Sequence, residues 1–416
     1  MNLAVWLAIP ACWLSAQDLS SPRAVSTPNV RTGVATPAGA AAGVAKDEKL
    51  RAVESELRGS PSDPKLQTKL ISAYLQRLRE TADGAWLEKA SQLVDRLIEK
   101  DGGSFNALRL RNEIDLQRHD FKTVAERARS MTRDEPSDPG NWGNLGDALM
   151  ELGEYEQAGQ AYGRMFALRP NLASYNRLGF FRFVTGDAQG AIGFMRLAVE
   201  AGDAVPEHTA WCQAELGDLY FKTGKLNEAK IAYQAALELF PGLHRAYAGL
   251  GRVEAESGHT EAAIRYFEHA QAIVPLVEYA SALEDLYRKE GQTQKAGGQQ
   301  QLVDAIDMLG RARQEKTNRT LAVILANHQR RLGRALELIE AEIPERGDVY
   351  TWDAYSWVLF KVGRVPEARA ASLKALRMST PEPDFYRHAA QIAAAAGESA
   401  LAAQYREHLN VLRASW

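Results

Sequence analysis

Residues 141–170 read "NWGNLGDALMELGEYEQAGQAYGRMFALRP". Large residues (Trp142, Leu145, Leu149, Tyr155, Tyr162) recur at three- and four-residue spacings, with small ones at Gly146, Gly153 and Ala158. That period is helical. Gly153 interrupts it midway, where a left-handed backbone costs glycine least, so two helices joined by a turn are expected. Two helices approach closely only where side chains are small. Gly146 on the first helix and Ala158 on the second therefore read as the contact, with the large residues filling the space around it. Pro170 ends the second helix and sets the angle to whatever follows.

The same arrangement returns in residues 210–241, "AWCQAELGDLYFKTGKLNEAKIAYQAALELFP". Leu145-Gly146 answers to Leu216-Gly217, Gly153 to Gly224, Ala158 to Ala229, Tyr162 to Tyr233 and Pro170 to Pro241. A third copy carries Leu250-Gly251, Gly258, Ala263, Phe267 and Pro275, 34 residues after the second. Five or six coincident places in each of three copies resemble the tetratricopeptide repeat family. Weaker copies are marked by Leu178-Gly179 with Gly186 and Ala191, and by Gly291 with Ala296, Gly363 with Ala368 and Gly397 with Ala402. Residues 320–343 have lost about three residues at their turn, and a long helix is expected from about 294 to 314. Upstream, residues 66–98 and 105–131 read as degenerate pairs. No alternating β-branched run occurs, so no sheet is expected. The resemblance implies an all-α, right-handed superhelical solenoid of about ten hairpins. Its parts are degenerate N-terminal hairpins at 46–138, well-matched repeats at 139–275, divergent repeats with an extended helix at 276–348, and C-terminal repeats with a cap at 349–416.

The N-terminus departs from this pattern. "MNLAVWLAIPACWLSAQ" is apolar from Leu3 to Leu14 and ends in small residues. It is too short to span a bilayer and suits the apolar region of an export signal, cleaved after Ala16 and lacking the usual basic start. "IPAC" offers a second reading, with Cys12 as a lipidated residue that would anchor the chain to a membrane. Residues 17–45 are rich in Ser, Thr, Pro, Gly and Ala. They hold no periodicity and read as a flexible tether spanning on the order of 30 Å.

The chain has 416 residues, 45% apolar and 25% charged, with a formal net charge of −3. That balance argues against a nucleic-acid partner, because phosphate neutralisation wants a basic face. Cys12 and Cys212 cannot make a disulfide framework or a metal cluster. The residues 249–254, "GLGRVE", are the Leu-Gly place of a repeat with no strand before them, not a nucleotide loop. Histidines are scattered, and no Ser stands in a Gly-x-Ser-x-Gly elbow. Neither an enzyme nor a cofactor is expected.

A binding surface is. Stacked hairpins curve, and their first helices line the concave side. Repeat phase places there Asn144, Asp147 and Met150, then Asn176, Arg177, Phe180 and Phe183. Trp211, Glu215, Asp218 and Phe221 follow, and then Arg245 and Arg252. A second set comprises Tyr350, Asp353, Trp357, Phe360 and Lys361. Aromatic residues beside paired polar groups suit a peptide-binding hot spot. Core packing is the competing account for these aromatics, Phe183 and Phe221 above all. Some members of the family clamp the C-terminal carboxylate of chaperones with two Lys, two Asn and an Arg. The matching places here hold Gly143, Asp147, Arg177, Trp211 and Glu215, so the clamp is absent. The expected function is a non-catalytic scaffold in a bacterial-type cell envelope, gripping a peptide or helix of a protein partner. Two alternatives stay open: a lipid-anchored assembly factor, and a self-assembling array using the tether or Trp416.

Overall fold

A computed structural model describes residues 38–101, 103–313 and 317–414. The export signal at 1–16, Cys12, the first part of the tether and Trp416 lie outside the described residues. Among those described there are 21 α-helices, one short 3-10 helix and no strand. They fall into two compact units that meet in sequence between Arg118 and His119.

The first unit holds α1 (Ala38–Gly59), α2 (Pro64–Thr81), α3 (Gly84–Asp101) and α4 (Phe105–Gln117). α1 starts inside the stretch read as tether, which corrects that boundary. Residues 38–45 are mostly alanine, the best helix former, and they simply extend the helix that follows. α2 begins sharply because Asp63 accepts from the Lys65 and Leu66 amides and Pro64 presets the first turn. Leu70, Ile71, Leu93, Val94, Leu97 and Ile114 form the core of this unit.

The second unit is a solenoid. It opens with α5 (Phe121–Asp134), α6 (Pro139–Leu152), α7 (Tyr155–Leu168), α8 (Leu172–Val184) and α9 (Ala188–Ala201). Next come α10 (Pro206–Lys222), α11 (Leu226–Leu239), α12 (His244–Glu256), α13 (Thr260–Ile273), α14 (Val277–Lys289) and α15 (Thr293–Ala312). It closes with α16 (Arg319–Asn327), α17 (Leu332–Glu342), α18 (Val349–Lys361), α19 (Val365–Ala375), α20 (Pro383–Ala395) and α21 (Ser399–Ala414). From α6 onward each even-numbered helix packs on its successor as a hairpin. With α2 on α3 in the first unit, nine hairpins are packed among the described residues, close to the ten or so expected, while α4 and α5 fall in different units.

The small residues act as the sequence suggested, with one refinement. A Cβ at Gly146 would collide with the ring of Tyr162, which lies one helical turn beyond Ala158. The close approach is thus between a glycine backbone and an aromatic face. Gly217 stands in the same relation to Tyr233 and Gly251 to Phe267. Gly153 caps α6 with φ +74°, in the left-handed region. The shortened turn between α16 and α17 lacks this glycine, and Gln329 and Arg331 take positive φ there instead.

Candidate interaction wall on the inner helices

First helices of successive hairpins touch one another, α6 with α8, α10 with α12, α14 with α16, α16 with α18 and α18 with α20. Such contacts put these helices on the inner side of a curved array. The candidate residues do lie on them, but most are closed off.

Asp147 and Arg177 are 5% and 4% exposed. Arg177 donates from Nε and Nη2 to the Asp147 carboxylate at 2.8–3.0 Å, linking α6 to α8. Tyr162 adds a third bond, donating to Asp147 at 2.8 Å. Asn144 is buried beside this group. Asn176 is buried too, its amide near Cys212 Sγ at 3.6 Å and Met195 Sδ at 3.5 Å. Phe183 is core. These side chains hold hairpins together and are not a free surface, because each helix face read as concave is partly covered by the neighbouring hairpin.

Two repeats after Asp147, the same places stay more open. Asp218 accepts from Tyr233 at 2.5 Å, from Arg245 at 2.8 Å and from Arg252. Arg245 also pairs with Glu215 at 2.6 Å. Its guanidinium carbon lies 4.2 Å from the ring centroid of Trp211, and that of Arg252 lies 5.2 Å from the ring of Phe221. Trp211, Glu215, Asp218, Phe221 and Phe180 are half-buried, while Arg252 is buried. The two aspartates titrate in opposite directions. Burial raises Asp147 above the usual carboxylate range against the pull of its one arginine. At Asp218 burial acts the same way, but Arg252 and Arg245 together overcome it and hold the carboxyl low.

The second candidate set is internal. Tyr350, Asp353 and Trp357 are buried. His388 Nδ1 lies 2.9 Å from Asp353, and its ring stacks on Trp357 with centroids 4.0 Å apart. Lys361 covers the other indole contact, Nζ 4.2 Å from the Trp357 centroid, and is only half-buried. Phe360 packs against the same cluster.

A feature with no signature in the repeat pattern closes the second unit on itself. Arg346, in the turn before α18, meets Glu151 of α6 at 2.5 Å and also Glu342 and Asp348. The Gly347 amide donates to the Glu151 carbonyl at 3.0 Å, and the Val349 amide to the Tyr155 hydroxyl at 2.8 Å. Arg377 donates to the carbonyls of Gly153 and Gly347 at 3.2 and 2.9 Å. Thr380 donates to the Val184 carbonyl at 2.6 Å, and Lys222 pairs with Glu382 at 2.8 Å. Behind this seam Leu145, Leu149, Val184, Val349, Tyr350 and Phe385 belong to one apolar cluster. Pairings between residues nearly two hundred positions apart leave no local pattern, so repeat phase could not reveal them.

Among the described residues no group of three His, Cys, Asp or Glu side chains could hold a metal ion, and no helix is long and apolar enough to cross a membrane.

Sequence models of one family, the tetratricopeptide repeat, match residues 139–172, 170–242 and 215–277. No curated protein matches. Among solved structures, the Cut9-Hcn1 hetero-tetramer of the APC/C is similar with a TM-score of 0.50 at 14% identity. The likeness covers 83% of this chain and 59% of that one, so this chain spans well under two thirds of its length. The pilF protein of Pseudomonas aeruginosa is similar at 18% identity and a TM-score of 0.37, over 60% of this chain and 99% of that one. MamA is similar at 23% identity and a TM-score of 0.33, over 39% and 93%. The first of these likenesses speaks for the fold alone. Glycine-to-aromatic contacts, left-handed turn glycines and three sequence matches agree on one conclusion: residues 139–277 are tetratricopeptide repeats.

Proposed function

We propose that the chain is a non-catalytic scaffold that holds an extended peptide or helix of a partner protein against the inner faces of α10 and α12. The tetratricopeptide fold supports an interaction scaffold in general. The observation that carries the finer reading is the Trp211–Arg245 plate. A half-buried indole is stacked on a guanidinium, and that guanidinium is itself fixed by Glu215 and Asp218. An aromatic anchor already held in place loses little freedom on binding, which is the condition for a hot spot. Phe180 and Phe221 extend the wall to either side. Asn144, Asp147, Asn176, Arg177 and Arg252 are buried and keep a structural part in this reading.

The apolar leader supports export to a cell envelope, with cleavage near Ala16. Mass spectrometry of the mature N-terminus tests this, since lipidation would leave a modified Cys12 as the first residue.

The binding reading is tested by affinity capture from envelope extract with the full chain as bait, beside a Trp211→Ala bait of verified helical content. A partner captured by the first and lost by the second supports the wall. A partner held equally by both moves the site elsewhere.

A further inference from the structure

We propose that the seam between Arg346 and Glu151 is a reversible clasp: the second unit closes into a ring through it, and the seam opens as a unit while the hairpins stay folded. Apart from this seam, helices pack in chain order. Here, among the described residues, the beginning of the unit meets its end, and it does so through turns and side chains. The contact is rich in charge. Glu151, Arg319, Glu342, Arg346 and Asp348 are all buried at it. Buried ion pairs gain little over their hydrated, separated state, because desolvation offsets most of the attraction. The apolar cluster behind the seam resists opening, but it is one cluster set against the Leu, Tyr and Ala core inside every hairpin, which has no such compensation in water and stays shut.

The geometry also says what opening would uncover. A cleft remains at the seam, with Glu151, Phe180 and Val184 on one side and Arg319, Asp348 and Tyr350 on the other. Phe180 belongs to the wall proposed above for peptide binding, so the closed clasp covers one end of that wall. This gating role rests on the binding reading; the opening itself does not.

Native-state hydrogen exchange on the full chain tests the clasp without any ligand. The Gly347 and Val349 amides are donors within the seam, and the amides of α12 serve as reference. The expected result is exchange about ten-fold or more faster at Gly347 and Val349 than in α12. Arg346→Ala should accelerate the two seam amides and leave α12 unchanged. Should that variant fail to fold, Thr380→Val removes one seam hydrogen bond without disturbing the charges, and the same direction is expected. A ratio below about ten-fold in the unmodified chain, or a denaturant dependence equal to that of α12, overturns the proposal. Failure of the binding reading would appear instead in the capture experiment with Trp211→Ala, which does not touch the seam.

Discussion

The hydroxyl of Tyr162 donates to the carboxylate of Asp147, 2.8 Å away across the hairpin formed by α6 and α7. Tyr233 repeats the relation with Asp218. In both cases the ring occupies the space that a glycine leaves empty, and the aspartate then reaches an arginine of the following hairpin. Contact within one repeat is thus wired to contact between repeats.

Removing that hydroxyl is the mildest test of the wiring. Tyr162→Phe should cost about 0.5–1.5 kcal/mol, since Arg177 still satisfies Asp147. Urea denaturation with an unchanged slope would show it.

Closing the empty space should cost more. Gly146→Ala places a methyl group against the Tyr162 ring, and an overpacked contact of this kind loses about 1–3 kcal/mol. The double variant Gly146→Ala with Tyr162→Leu should recover part of the loss, as a double-mutant cycle would measure.

Breaking the pair from one side should be severe. Arg177→Ala leaves the Asp147 carboxylate buried without its cation, a change worth about 3–5 kcal/mol. Thermal melting of Arg177→Ala and of Arg177→Met with Asp147→Leu separates charge from packing. The double apolar variant should be much the more stable of the two.

The Asp353–His388 pair makes a prediction about pH. Burial raises Asp353 to about 7 and lowers His388 well below its usual value, so the pair is neutral in the fold. A raised carboxyl stabilises below its unfolded value and loses that contribution as pH rises towards 7. A lowered imidazole stabilises above its unfolded value and loses that contribution as pH falls. Between about pH 4 and 6.5 the two slopes oppose each other and largely cancel. Asp353→Asn removes one of them. Its stability should fall as pH drops from 7 to 5 by more than that of the unmodified chain, as urea midpoints across that range would record.

Cys212 is fully buried, and burial pushes its thiol above the usual range. A disulfide reagent should leave it unmodified in the folded protein and label it on unfolding, read by mass spectrometry of its peptide. Labelling under native conditions at the rate of a free thiol would contradict its placement between α8 and α10.

Much of this architecture was legible from residue spacing. Gly146, Gly153, Ala158, Tyr162 and Pro170 define one hairpin, and two further copies fix the phase of the array. Phase also put Asp147, Arg177, Trp211 and Arg245 on the inner helices. It could not say which of them stay accessible. Exposure there depends on partners about thirty residues away, such as Arg177 for Asp147, and on a seam joining positions nearly two hundred apart. The second aromatic set reads as a binding patch until His388 and Tyr350 are seen to pack inside the fold. Degenerate turns mislead in a milder way, for Gln329 holds by strain a backbone shape that glycine adopts freely.

The touching backbones of Gly153 and Gly347 carry a consequence for the array as a whole. Neither position has room for a Cβ, because each faces a carbonyl oxygen at the other's turn. An open solenoid tolerates the gain or loss of a whole repeat, since each unit meets only its neighbours. Here an added or deleted hairpin between α7 and α18 would carry Gly347 past its counterpart and leave Glu151 and Arg346 facing the wrong turns. The number of hairpins between those two glycines is therefore set by closure, as the number of staves is set by a hoop.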